Sequence, residues 1–153
     1  MIGDPHEVMI QIGLAIARSQ HGDRAGARLM FQDLWAQVGP DGDPIHRCAL
    51  AHSMADVQDD PREELAWDLL ALEAGDLLTN ERVFSGGVAG PAQGFYPSLH
   101  LNLADVYRRL GNTERACHHV VLGHAALESL ADDGYRQMIR DALDRVQHQL
   151  EVP

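Results

Sequence analysis

Histidine and cysteine are the residue types of this chain that could carry metal or nucleophilic chemistry, and nine histidines and two cysteines occur among its 153 residues. A structural zinc site needs four such ligands that converge on one point. Cys48 and His52 share one face of a predicted helix, but His46 does not. In a second cluster, Cys117 and His124 diverge as well. The spacing therefore predicts no metal site and no cofactor.

Nucleophilic and nucleotide chemistry are disfavoured on similar grounds. His52 lies one helical turn from Cys48, but a thiol in a helix interior lacks the helix N-terminus that commonly activates a cysteine. All twelve basic residues are arginines, so the chain has no lysine for a phosphate loop or a Schiff base. No glycine-rich loop follows a predicted strand. We therefore predict that the protein is not an enzyme.

Two charged pairs have the spacing of neighbours on one helix face. His52 and Asp56 are four residues apart, and Asp105 and Arg109 repeat this spacing. One interpretation is that both pairs are solvated surface contacts. The other is a polar surface that holds a peptide backbone or a terminal carboxylate, with Arg108 or Arg109 as the anion contact. The spacing alone leaves both interpretations open.

The charge of the chain narrows the class of partner. Its 23 acidic and 12 basic residues give a formal charge of -11, which opposes binding to nucleic acids and to anionic membranes. The first residues lack the basic and apolar regions of a signal peptide, and the apolar runs are shorter than a membrane span. We therefore expect a cytoplasmic protein with reduced thiols and a protein or peptide partner.

The apolar spacing predicts helices throughout and no strand, within a single domain over residues 1–153. Three helical hairpins are expected at about residues 5–39, 45–78 and 98–130, followed by a capping helix at about 133–150. Four glycines and two prolines within residues 84–97 predict an ordered insertion loop without a regular element. Its Phe95 and Tyr96 either pin the loop to the core or form the rim of a ligand groove.

The first and third hairpins match each other without a gap. The aligned pairs are Leu14 with Leu103, Ala15 with Ala104, Gly22 with Gly111, and Ala27 with Ala116. An internal repeat of one helix-turn-helix unit indicates hairpins that stack on each other and present a surface for binding. The repeat therefore favours recognition over catalysis.

The spacing of small residues around the turn resembles the tetratricopeptide repeat. The third hairpin carries the signature at Leu103, Ala104, Tyr107, Gly111 and Ala116. The first hairpin has Arg18 where an aromatic residue is usual, and the second matches only at Leu50, Ala51 and Met54. The chain as a whole also resembles small tetratricopeptide-repeat proteins of actinobacterial-type genomes. The resemblance implies an all-α fold in which the three hairpins form a right-handed superhelix closed by the capping helix.

In that family the first helix of each hairpin lines the concave side, so the resemblance also implies a set of groove residues. They are Ile12, Ile16, Ser19, Cys48, His52, Asp56, Leu101, Asp105, Arg108 and Arg109. The function implied is a non-catalytic module that binds a protein or peptide, as an adaptor, scaffold or regulatory sensor.

Two other functions stay open. In one of them, the protein is a structural homo-oligomer, such as a homodimer, whose interface is the apolar face of the first helix, at Met9, Ile12 and Ile16. In the other, which we favour less, a small-molecule or metal-dependent active site lies beneath the 84–97 loop near His52 and His100.

Overall fold

The computed structural model describes residues 4–84 and 91–152, with the side chains of these residues except 79–84 and 91–94. The described residues form seven helices and no strand, which confirms the predicted all-α class. The helices are α1 (Pro5–Gln20), α2 (Arg24–Val38), α3 (Pro44–Asp56), α4 (Pro61–Phe84), α5 (Pro91–Arg109), α6 (Thr113–Leu127) and α7 (Gly134–Glu151).

The predicted loop at residues 84–97 is wrong at its two ends, because α4 continues to Phe84 and α5 begins at Pro91. Proline suits the first turn of a helix, where its missing N–H has no partner to lose. Pro97 lies inside α5 and is buried beside the fully buried Leu99. Their apolar burial offsets the backbone hydrogen bond that Pro97 cannot donate. Residues 85–90, at the centre of the predicted loop, lie outside the described residues.

The chain divides into two compact units, Met1–Ala74 and Gly75–Pro153. In the first unit α1 packs against α2, and α3 contacts both. In the second unit α5, α6 and α7 make the same three-way contact. Each unit thus contains one of the two matching hairpins together with a helix that packs across it.

The two matching hairpins turn in the same way. Gly22 and Gly111 have φ angles of 99° and 82°, in the left-handed region that favours glycine. The next residues, Asp23 and Asn112, each accept a hydrogen bond from the backbone N–H three residues on, at 2.9 and 3.1 Å. These side chains cap α2 and α6. The repeat in the sequence therefore corresponds to a repeated backbone geometry.

Small residues let the paired helices approach closely in both units. The alanines aligned by the repeat have no exposed surface, and such positions permit crystal-like packing density. They are Ala15 and Ala27 in the first unit and Ala104 and Ala116 in the second.

Large rings are distributed unequally between the units. Both tryptophans, Trp35 and Trp67, belong to the first unit, where their centroids are 5.1 Å apart in an edge-to-face contact. All three tyrosines, Tyr96, Tyr107 and Tyr135, belong to the second unit.

The C-terminal helix was predicted to within a residue at each end. Its Ile139, Leu143 and Val146 are buried against the second unit, and the opposite face is exposed. Asp133 caps the helix by accepting a hydrogen bond from the backbone N–H of Arg136 at 3.1 Å.

Candidate functional site

An open cavity of about 290 Å³ lies in the first unit, where α1 meets α3. Its lining consists of Ile16, Ser19, Gln20, Phe31, His52, Ser53, Asp56 and Val57. Four of these residues, Ile16, Ser19, His52 and Asp56, belong to the predicted groove. The cavity has an apolar part formed by Ile16, Phe31 and Val57 and a polar part that can form hydrogen bonds.

The position of the cavity follows from where the two helices end. Ser19 and Gln20 lie in the last turn of α1, and Ser53 and Asp56 lie in the last turn of α3. The last carbonyl groups of a helix lack partners within the helix, and they carry a partial negative charge. The cavity therefore lies beside the negative ends of two helix dipoles.

His52 and Asp56 set the charge of the cavity. Burial lowers the pKa of His52, and the negative charge of Asp56 opposes this shift. Desolvation raises the pKa of Asp56 and the negative charge of Glu64 adds to the shift, whereas His52 and Arg24 oppose it. Asp56 is the acidic residue and His52 the basic residue among the eight that line the cavity.

Two further residues predicted to face the groove are buried instead. Ile12 is 2% exposed and packs in the core of the first unit, and Cys48 has no exposed surface. The reason is that α3 contacts both α1 and α2, so more than one of its faces is covered. Burial raises the pKa of the Cys48 thiol to about 12, which keeps it protonated at neutral pH.

The remaining groove residues lie on α5 in the second unit. Asp105 accepts hydrogen bonds from the Arg108 guanidinium at 2.9 Å and from Arg109 Nε at 3.0 Å. Leu101 is half-buried and packs against the apolar core. An anionic ligand at this surface would share both guanidinium groups with Asp105.

The two aromatic residues predicted at a loop rim belong to α5. Phe95 and Tyr96 are half-buried and lie within its first two turns. The Tyr96 hydroxyl donates a hydrogen bond to the Asp76 carboxylate at 2.7 Å. This contact ties α5 to the C-terminal half of α4 within the second unit.

A pair of buried histidines in the second unit was missed by the sequence analysis. His100 on α5 and His119 on α6 are 8% and 6% exposed, and their Nδ1 atoms are 3.1 Å apart. The ring centroids are 5.3 Å apart, so the two nitrogen atoms lie between the rings, which meet edge to edge. The rings of Tyr96 and Tyr107 flank the pair at 6.0 and 5.6 Å. The signal in the sequence is the spacing of Tyr96, His100 and Tyr107, which lie four and seven residues apart and so share one face of α5.

Both histidines of this pair are held in the neutral form. Burial lowers the pKa of His119 to about 4, and electrostatic interactions with His100, His118 and Arg115 act in the same direction. Burial also lowers the pKa of His100; Asp76 opposes that shift and His118 adds to it. A neutral pair can form the hydrogen bond only if one Nδ1 carries a proton and the other does not.

The other histidines do not assemble into a metal centre in the described part of the chain. Across residues 4–84 and 91–152, no three histidine, cysteine or acidic side chains come together with the geometry of a metal site. In the second cluster of the sequence analysis, Cys117 is exposed, and His124 Nε2 lies 3.3 Å from the Asp144 carboxylate instead.

No protein-family model, curated protein or solved structure matches the chain. Among the described helices, none is both long and apolar enough to cross a membrane. The cavity of the first unit, the repeated hairpin and the buried histidine pair are thus the features from which a function can be argued.

Proposed function

We propose that this protein is a non-catalytic binding protein of tetratricopeptide-repeat type that holds a segment of a partner protein in the cavity of its first unit. The observation that carries the proposal is the meeting of Ile16, Ser19, His52 and Asp56 in one open cavity. These residues come from the helices that line the binding surface in that family. A cavity with an apolar part and a few polar groups is typical of a recognition site.

The position of the cavity also argues against acyl-transfer chemistry. Serine, histidine and carboxylate side chains do meet there, and this set occurs in many hydrolases. Such enzymes need N–H donors that stabilise a developing oxyanion. The lining residues of α1 and α3 instead lie at helix C-termini, where the helix dipole is negative. This polarity disfavours an oxyanion and suits a binding role.

The proposal includes the cytoplasmic, bacterial setting that the family resemblance implies. Cys48 and Cys117 are both free thiols, in agreement with a reducing compartment. The right-handed superhelical arrangement of the hairpins is part of the same proposal.

Partner capture with a blocked cavity tests the proposal. Gln20 is exposed at the end of α1, so in the Gln20→Trp variant the indole can occupy the cavity without displacing the core. Gln32 is exposed on α2 away from the cavity lining, which makes Gln32→Trp a matched control. We expect host proteins retained by the wild type and the control to be lost from Gln20→Trp.

A captured protein is then purified and titrated against all three forms. The expected result is a dissociation constant raised at least about tenfold for Gln20→Trp alone, which corresponds to about 1.4 kcal/mol. Equal affinity for the wild type and Gln20→Trp would remove the cavity from the binding site.

Self-association is the second candidate, and the surface of α1 favours it. Met9, Ile10 and Leu14 are 40%, 46% and 53% exposed, which leaves an apolar face on this helix. Ile12 belongs to the core, so the informative substitution is at Leu14. If the wild type is a dimer, light scattering should give the monomer mass for the Leu14→Asp variant. The control Leu29→Asp, at an exposed leucine of α2, should keep the dimer mass. A monomeric wild type would exclude this candidate.

A further inference from the structure

The cavity of the first unit has a charge and shape that define the class of side chain it accepts. Resting on the function proposed above, we infer that the cavity selects a basic side chain, arginine or lysine, from the partner segment.

The lining combines one acid with His52, whose pKa is lowered by burial, and with uncharged groups. Asp56 is its carboxylate, and Ser19, Gln20 and Ser53 are uncharged hydrogen-bonding residues. The eight lining residues include no arginine. A ligand carboxylate would therefore meet a like charge, whereas a guanidinium or ammonium group would meet an opposite one.

The helix ends add to this preference. Ser19, Gln20, Ser53 and Asp56 belong to the last turns of α1 and α3, whose carbonyl groups carry partial negative charge. Cations bind favourably at helix C-termini. The dipoles and the carboxylate therefore act in the same direction on a basic group.

The apolar part of the cavity suits the stem of the same side chain. Arginine and lysine bury their methylene groups against apolar surface and keep the charged head in a polar environment. Ile16, Phe31 and Val57 are the apolar residues of the lining. A volume of about 290 Å³ lies near the lower limit of small-ligand pockets and is sufficient for one long side chain.

Two arginines of α2 bind at the residues that follow α3. Arg28 donates hydrogen bonds to the carbonyl of Val57, and Arg24 donates to the carbonyl of Gln58 at 3.2 Å. Both also contact the Asp59 carboxylate. They show that guanidinium groups bind just beyond the end of α3, where the positive charge of Arg24 also acts on Asp56.

Small peptide analogues test the inference on the full-length protein. The basic probes are Nα-acetyl-arginine amide and Nα-acetyl-lysine amide, and Nα-acetyl-citrulline amide is the neutral analogue of the arginine probe. Binding is followed through the backbone amide shifts of Ser19, Ser53 and Asp56 in a nitrogen-15 spectrum. We expect the basic probes to shift these signals at concentrations about tenfold lower than citrulline does, as for a charge-assisted hydrogen bond.

Two variants that each lose one negative charge are compared in this test. Asp56→Asn should reduce the preference for arginine over citrulline to about onefold. Asp33→Asn removes an exposed carboxylate of α2 outside the lining and should retain the preference.

The outcomes separate this inference from the proposed function. Equal shifts from arginine and citrulline in the wild type, or an unchanged preference in Asp56→Asn, would overturn the inference. If the cavity signals respond to none of the probes, the inference also fails. In each of these cases, loss of the captured partner from Gln20→Trp would still support binding at the cavity.

Discussion

The Nδ1 atoms of His100 and His119 lie 3.1 Å apart, the distance of a hydrogen bond in which one Nδ1 donates and the other accepts. The two rings therefore exist as different tautomers, one with its proton on Nδ1 and the other with its proton on Nε2. A first added proton can enter at the free Nε2 of the donor ring and leave the shared hydrogen bond intact. A second proton would place two N–H groups and two positive charges against each other.

Acid should consequently destabilise the protein through this pair. The pKa of both histidines is lowered on folding, that of His119 to about 4 from 6.5. A depressed histidine pKa means that the unfolded chain binds more protons, so the stabilisation is complete above about pH 6.5 and decreases towards pH 4. Protonation of His119 alone should lower the free energy of unfolding by up to about 3 kcal/mol as the pH falls from 6.5 to 4. Urea unfolding followed by far-ultraviolet circular dichroism at several pH values measures this loss.

The matched variants isolate the pair from other acid-sensitive groups. Replacing both residues, in His100→Phe/His119→Phe, removes two titrating rings and keeps the ring packing, so the decrease in stability between pH 6.5 and 4 should become smaller. His148→Phe changes an exposed histidine of α7 and should leave the decrease as in the wild type. An identical pH dependence in the double variant would contradict the prediction.

Glycine at the two repeated turns should be required for backbone conformation. A Cβ at Gly22 or Gly111 would meet no atom within 4 Å, so alanine there tests the positive φ alone. Each substitution should lower the free energy of unfolding by about 1–2 kcal/mol. Gly13→Ala, within α1 and equally free of contacts, should raise it by up to about 1 kcal/mol. The same sign for Gly13→Ala and Gly22→Ala would refute this account.

The two cysteines should differ in reactivity. Cys117 is exposed on α6, whereas Cys48 is buried and its pKa is raised to about 12. An aromatic disulfide reagent should therefore titrate one thiol in the native protein and the second only after unfolding. Cys117→Ser should abolish the native reaction. Two reactive thiols in the folded wild type would show that α3 is less enclosed than described.

The paired arginines of α5 remain the predicted anion contact. Arg108→Ala/Arg109→Ala should weaken binding of a captured partner by about tenfold, the effect of losing a charge-assisted hydrogen bond. Their contacts with Asp105 are partly exposed, so the fold should tolerate the change at a cost of a few tenths of a kcal/mol per pair. Calorimetry with the purified partner gives the affinity, and an unchanged value would exclude both residues from the binding site.

Features that depend on neighbouring residues were predictable from the sequence. The turns at Gly22 and Gly111 follow from local capping and backbone conformation, and the repeat identified both. Most helix ends were predicted closely for the same reason. The start of α5 was misjudged, because burial of Pro97 outweighs the local tendency of glycine and proline to end a helix.

Features that depend on the packing of separate helices were predicted less well. Both α1 and α2 contact α3, so its apolar residues occur on several faces and show no clear helical period. For this reason the buried Cys48 was assigned to the groove surface. His100 and His119 are 19 residues apart, and their contact depends on how α5 and α6 rotate against each other. His52 and Asp56, by contrast, share one helix turn, and their joint position in the cavity follows from the spacing.

The segregation of tryptophan to the first unit and tyrosine to the second gives each unit its own optical reporter. Excitation at a wavelength that indole absorbs and phenol does not produces fluorescence from Trp35 and Trp67. The change of this fluorescence on heating reports the unfolding of the first unit. Phenol emission follows the second, where Tyr107 stacks on His119. Tryptophan and tyrosine fluorescence of the unlabelled protein therefore report the unfolding of the two units separately, and comparing them gives the order in which the units melt.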